Sequence, residues 1–241
     1  MTILRGAWLG LRTVALFAGL LLIPAGMVPG GTWVWSQGLW FMGVLGLITV
    51  SSSELLAAFR PANLAMRQQG PVAARGAKQP LIDAIGLVAY MGFVLAWFAF
   101  IPMDVFAWHL LPAPSAPVAV GGGLVAVAGA VIGQLAIWEN AFAAPTIHDQ
   151  TGDGQRVIDT GIYGLVRHPL YAGNLLLFSG MALWLGSVAA LVGVAVMLVA
   201  TVARIRIEEA HLRASFPDYV DYARRVRGGL VPGVGGDGRR V

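Results

Sequence analysis

The stretch TVALFAGLLLIPAGMVPGGTWVWSQGLWFMGVLGLITVSSS, residues Thr13–Ser53, contains no charged side chain. As one helix it would extend about 60 Å, twice the roughly 30 Å hydrocarbon core of a bilayer. Pro29-Gly30-Gly31 interrupts it near the middle, where proline cannot continue a helix and glycine adopts the tight backbone of a reversal. The stretch therefore predicts a membrane hairpin, with spans at 13–28 and 35–57. Outward from it, Ala84–Ile101, ended by Pro102, reads as a third span and Val118–Trp138 as a fourth. Pro169–Ala203 is again charge-free and too long for one crossing; Gly186-Ser187 divides it into 170–185 and 188–205. The expected fold class is all-α integral membrane, with about six transmembrane helices.

Composition agrees. Apolar residues make up 57% of the 241 and charged residues only 12%, against about 25% charge in a soluble domain. Such a chain cannot cover a globule with polar groups, and it is too apolar to stay disordered. The absence of cysteine excludes thiolate metal sites, disulfides and a cysteine nucleophile. The 16 basic residues raise the question of nucleic acid, but their placement answers it. They fall before span one (Arg5, Arg12), between two and three (Arg60, Arg67, Arg75, Lys78), between four and five (Arg156, Arg167), and after six (Arg204 onward). Six spans put all of them on one side, which the positive-inside rule makes cytoplasmic, with both termini. No nucleic-acid partner is expected; the bilayer is. The chain divides into N-terminal spans, 1–117, and a C-terminal membrane region with a cytoplasmic tail, 118–241. Trp33, Trp35, Trp97 and Trp108 fall near predicted boundaries, as interfacial tryptophans do. Gly129 and Gly133, four apart, permit close helix packing. Asp104 and His109 read as solvated residues of an outer loop.

Chemistry concentrates after Glu139. A polar loop leads into Gly161-Ile-Tyr163-Gly-Leu-Val-Arg167-His168-Pro169-Leu-Tyr171. Pro169 suits the first turn of a helix, where its missing N–H has no partner to lose, and the free amides of that turn suit an anionic group. After the last span comes Arg204-Ile-Arg-Ile-Glu208-Glu209-Ala-His211-Leu212. Residues 204, 208 and 211 share one helix face, and 205, 209 and 212 the next. Singly, each motif reads as an anchor or a helical salt bridge. Together, two charged clusters flank one short hairpin and carry more acids and bases than topology requires.

At these residues the chain resembles the isoprenylcysteine carboxyl methyltransferase family, integral-membrane enzymes whose wider group includes phospholipid N-methyltransferases. The resemblance covers about 138–232 and consists of an ordered set: Gly161-x-Tyr163, Arg167-His168-Pro169-x-Tyr171-x-Gly173, Leu185-Gly186-Ser187, Arg204-x-x-x-Glu208-Glu209-x-x-Leu212 and Phe216-x-x-Tyr219-x-x-Tyr222. Ala144-Pro145-Thr146-Ile-His148-Asp-Gln150 also looks like bacterial members, although arginine often stands where this chain has His148.

The resemblance implies a cytoplasm-facing site for S-adenosylmethionine, formed by the last helical hairpin and the tail. His168, Pro169, Leu170 and Tyr171 would line the cofactor, partly through backbone, and Glu209 would contact it, with Glu208 alongside. Arg204 would orient the acceptor. Tyr163, Arg167 and Gln150 are further cofactor candidates; Arg204, Glu208 and His168 are the catalytic ones. A lipophilic or small hydrophobic carboxylate, thiol or amine would be the acceptor, and the setting a bacterial cytoplasmic membrane. No metal is expected. Two other readings exist: an NADPH-dependent membrane reductase of the sterol-reductase type, and a non-catalytic membrane protein that retains the fold.

Overall fold

Hydrocarbon offers a backbone no water to bond with, so a spanning chain closes its own hydrogen bonds as helix. The computed structural model describes residues 2–68, 81–141 and 157–234 and is built of helices. α1 (Thr2–Met27) and α2 (Ser36–Phe59) form the first hairpin. Its turn includes Gly30, whose φ of 78° lies where a side chain is unfavourable. A short α3 (Pro61–Gln68) follows. Then come α4 (Leu81–Met103), α5 (Ala116–Glu139), α6 (Pro169–Trp184), α7 (Ala190–Ser215) and a short α8 (Pro217–Arg225). Among the described residues, five helices (α1, α2, α4, α5 and α7) are long and apolar enough to cross a membrane. α6, with 16 residues, extends about 24 Å, short of a full hydrocarbon core. Residues 170–205 are thus two helices, separated at Gly186, where φ is 97°.

The helices alternate in direction. At one end Asn63 Nδ2 donates to the Trp138 carbonyl (3.0 Å), joining α3 to the end of α5. The start of α6 meets the end of α7 at the same level through Arg167 and Glu209. This end carries the arginine-rich segments and is called the basic end below. At the opposite end Trp97 Nε1 donates to the Ala190 carbonyl (2.8 Å), fastening α4 to the start of α7.

Glycines set the closest contact, between α5 and α6. A Cβ on Gly129 would fall 2.3 Å from the Leu177 nitrogen, and one on Gly180 2.3 Å from the Ala126 nitrogen. One on Gly173 would fall 2.7 Å from the Gly133 nitrogen. The two backbones touch because each offers hydrogen where the other needs room. An aromatic and aliphatic core including Leu21, Phe41, Trp97, Phe98, Met181 and Met197 ties this pair to the other helices.

Four expectations change. Pro102 does not stop the third span: it lies inside α4, which ends one residue later and passes into a π-helical turn, Asp104–Trp108. Trp35 and Trp97 are not interfacial anchors, being 3% and 4% exposed. Each has packing to gain indoors, Trp35 edge-on to Phe106 and Trp97 against Phe98 and Phe178. Trp33 and Trp108 do stay exposed. Asp104 is not solvated: it is 2% exposed. Its carboxylate accepts hydrogen bonds from the Ser187 hydroxyl (2.6 Å) and the Leu110 amide (2.9 Å), so burial leaves neither oxygen unpaired. His109 beside it is exposed, as expected.

Candidate active site at the basic end

Pro169 opens α6 as anticipated and is fully buried. Its ring holds the chain so that Arg167 and His168, just before the helix, face the end of α7. Arg167 Nε donates to Glu209 Oε1 (2.7 Å), and His168 Nε2 lies 3.0 Å from the same oxygen. A carboxylate only accepts, so His168 carries its hydrogen on Nε2 in this contact. Arg213, one turn further along α7, approaches Glu209 Oε2 at 3.4 Å. Three basic side chains therefore converge on one carboxylate.

A second chain of contacts runs alongside. Arg204 Nε donates to the Tyr171 hydroxyl (2.8 Å), which donates to Glu208 Oε2 (2.8 Å). The His168 and Tyr171 rings lie nearly parallel, 5.8 Å apart, linking the two chains. The helical register explains the division: 204 and 208 are a turn apart and face Tyr171, while 209, about 100° further round, faces Arg167 and His168.

Arg167 is 7% exposed and His168 5%. Burial pulls the Arg167 pKa down, but the hydrogen bond and charge of Glu209 outweigh it and leave it raised. The guanidinium stays charged, and the tail accepts from a second of its nitrogens. Arg167 Nη1 donates to the Val226 and Arg227 carbonyls (2.8 and 2.9 Å). The amides of Arg167 and His168 donate to the Gly228 and Gly229 carbonyls (2.9 and 3.0 Å). The chain after α8 is thereby strapped across the start of α6. Tyr222 completes the anchorage by donating to the Tyr163 carbonyl (2.8 Å).

Of the candidates named from sequence, Arg167, His168, Tyr171, Arg204, Glu208 and Glu209 come together here. Tyr163, 7% exposed in a 3-10 turn (Gly161–Gly164), sits one layer out, beside Tyr222. The Leu170 side chain lies toward Gly133 of α5, and no contact joins it to the cluster among the described residues. Gln150 and His148 lie outside the described residues. Sequence reasoning missed Tyr90 of α4, which hydrogen-bonds Thr201 and lies within charge range of Arg204. It missed Arg213 and the tail strap as well. The signal for the strap was Gly228-Gly229, where a Cβ on Gly228 would fall 2.5 Å from the Val231 carbonyl.

Away from this cluster, an apolar groove among α2, α5 and α6 is lined by residues such as Phe41, Ile48, Ala130 and Leu177.

Among the described residues the protein is thus helical, with helices able to cross a membrane and acid–base clusters at the mouth of a short hairpin. Residues 117–219 match the family model described as phospholipid methyltransferase, in keeping with the integral-membrane methyltransferase resemblance of the motifs. The match begins at α5 and ends within α8, so it spans the glycine-packed pair and the whole of α7. No curated protein matches the chain.

Proposed function

We propose that this membrane methyltransferase uses S-adenosylmethionine as donor and methylates a lipophilic or small hydrophobic carboxylate, thiol or amine. The observation that carries the reading is the closure of Arg167, His168 and Tyr171 on Arg204, Glu208 and Glu209, inside the family-matched region. In this reading the basic end faces the cytoplasm, in keeping with the distribution of arginines.

The residues fit the cofactor's chemistry. Two carboxylates suit ribose hydroxyls, an ammonium group and a sulfonium, while arginines and phenols suit a carboxylate. A buried tyrosine hydroxyl with no hydrogen-bond partner among the described residues stands at the same place. When bound, the cofactor supplies a methyl group already activated on sulfur, so the protein's task is binding and orientation. Glu209, fixed by Arg167, His168 and Arg213, would hold the donor's polar end, with His168, Pro169, Leu170 and Tyr171 lining it. Arg204, held by Tyr171, aligns the acceptor; orientation of this kind can supply about 7–11 kcal/mol of a barrier. Where the acceptor loses a proton, His168 Nδ1 is the side available to take it, because Nε2 is committed to Glu209.

The test is a calorimetric titration of the detergent-purified protein with S-adenosylmethionine, S-adenosylhomocysteine and NADPH. Saturable binding of the adenosyl compounds alone is expected; binding of NADPH alone, or of none of them by folded protein, overturns the reading. Glu209→Gln should weaken S-adenosylhomocysteine binding at least tenfold. It should also cost about 2 kcal/mol of stability, since Arg167 loses its charged partner. Arg204→Ala should lower turnover more than cofactor affinity. Labelled methyl donor offered with oleate, phosphatidylethanolamine or dodecanethiol distinguishes carboxylate, amine and thiol acceptors.

A further inference from the structure

α8 turns a hydroxyl inward that the described residues do not use. Tyr219 is 3% exposed, and its hydroxyl oxygen is buried with no hydrogen-bond partner among the described residues. Tyr90, Tyr171 and Tyr222 all engage partners. The Tyr219 ring is fixed against Tyr222, 5.6 Å between centroids, within a small apolar cluster that includes Leu212 and Phe216. Glu209, Arg167 and Glu208 are close enough to act on it electrostatically. None of them bonds it. Glu209 Oε1 is occupied by Arg167 and His168, and Oε2 faces Arg213. The Arg167 Nε and Nη1 hydrogens are occupied by Glu209 and the tail.

A buried hydroxyl without a partner costs free energy that a packed phenylalanine would not incur. Such a group, at the edge of an acid–base cluster, is one whose partner arrives with the ligand. We propose that Tyr219 is a cofactor-binding residue whose hydroxyl donates to an oxygen, ribose or carboxylate, of the adenosyl cofactor. The assignment rests on the S-adenosylmethionine reading above. Burial and the negative charge of Glu209 both raise the phenol's pKa, so it remains a donor.

Tyr219→Phe keeps the ring and removes only the oxygen. Three quantities are measured on wild type and variant: the apo melting temperature, the affinity for S-adenosylhomocysteine, and the affinity for 5′-methylthioadenosine, which keeps the ribose but lacks the carboxylate. The apo variant should melt at or above the wild-type temperature, and S-adenosylhomocysteine should bind about three- to tenfold more weakly, the worth of one neutral hydrogen bond. The same loss with methylthioadenosine identifies the ribose as acceptor; no loss there identifies the carboxylate. Unchanged S-adenosylhomocysteine affinity overturns the assignment. Unchanged affinity with a lower apo melting temperature overturns it too, by showing that the hydroxyl already has a partner inside the protein. Failure of wild type itself to bind any adenosyl compound is a different result and removes the cofactor reading.

Discussion

At the Gly186 end of α6, the carboxylate of Asp104 is held by the Ser187 hydroxyl and the Leu110 amide. At the Pro169 end, the carboxylate of Glu209 is held by Arg167, His168 and Arg213. Both are networks that fasten a neighbouring element to one short helix. They differ in what is left over. The Asp104 network is small, its acceptors are matched to donors, and Ser187 is completely buried. The Glu209 network gathers three arginines, two glutamates, a histidine and two tyrosines, one of them unpartnered among the described residues. A staple needs only enough polar groups to satisfy itself. The Glu209 network holds more than that, and in the function proposed above the surplus is what a ligand would engage.

The most drastic way to break the comparison is to displace α6, on which both ends depend. Gly129→Ala places a Cβ 2.3 Å from the Leu177 nitrogen, a backbone atom that cannot rotate away. A loss of about 3 kcal/mol or more is expected, read as a lower melting temperature and a smaller monodisperse fraction in detergent. Gly121→Ala is the control: a Cβ there meets nothing within 4 Å. It should stay within about 0.5 kcal/mol of wild type or gain slightly from helix propensity. Equal damage from both substitutions would mean that glycine packing is not what positions α6.

Next in size is the staple itself. Asp104→Ala leaves the Ser187 hydroxyl and the Leu110 amide without their acceptor, at about 2–4 kcal/mol together. S-adenosylhomocysteine affinity of the folded variant should remain within about twofold of wild type. A parallel loss of affinity would show that the two ends are coupled through α6, and the contrast between staple and site would fail.

These two ends were unequally legible in the sequence. The spans could be read because charge is excluded from hydrocarbon, and the arginines between them report the sides. The basic-end cluster could be read because its parts lie in two short motifs, Arg167–Tyr171 and Arg204–Glu209, joined by a hairpin too short to keep them apart. Asp104 could not. Its partner Ser187 is 83 positions away, and locally it looks like any acid after an apolar run. Trp35 and Trp97 misled for the same reason, since proximity to a predicted boundary says nothing about which way a side chain turns. Tyr90 was invisible because it comes within charge range of Arg204 from a span that carries no motif. Its contact with Thr201 becomes meaningful only when α4 is packed against α7.

The smallest effect is expected where polar contacts sit near the site without belonging to it. Arg225 of α8 pairs with Asp159 at 2.5 Å, a short distance that invites a structural role. The side chains, however, are 60% and 43% exposed, and solvent screens such a pair to under about 1 kcal/mol. Tyr222 already fastens this part of α8 from within, through a buried bond to the Tyr163 carbonyl. Asp159→Asn should therefore move the melting temperature by no more than the equivalent of about 0.5 kcal/mol and leave S-adenosylhomocysteine affinity unchanged. Burial then separates the contacts that make the site from those that decorate it. A large loss of affinity in Asp159→Asn would instead extend the site outward to the 157–160 segment, making that segment a wall of it.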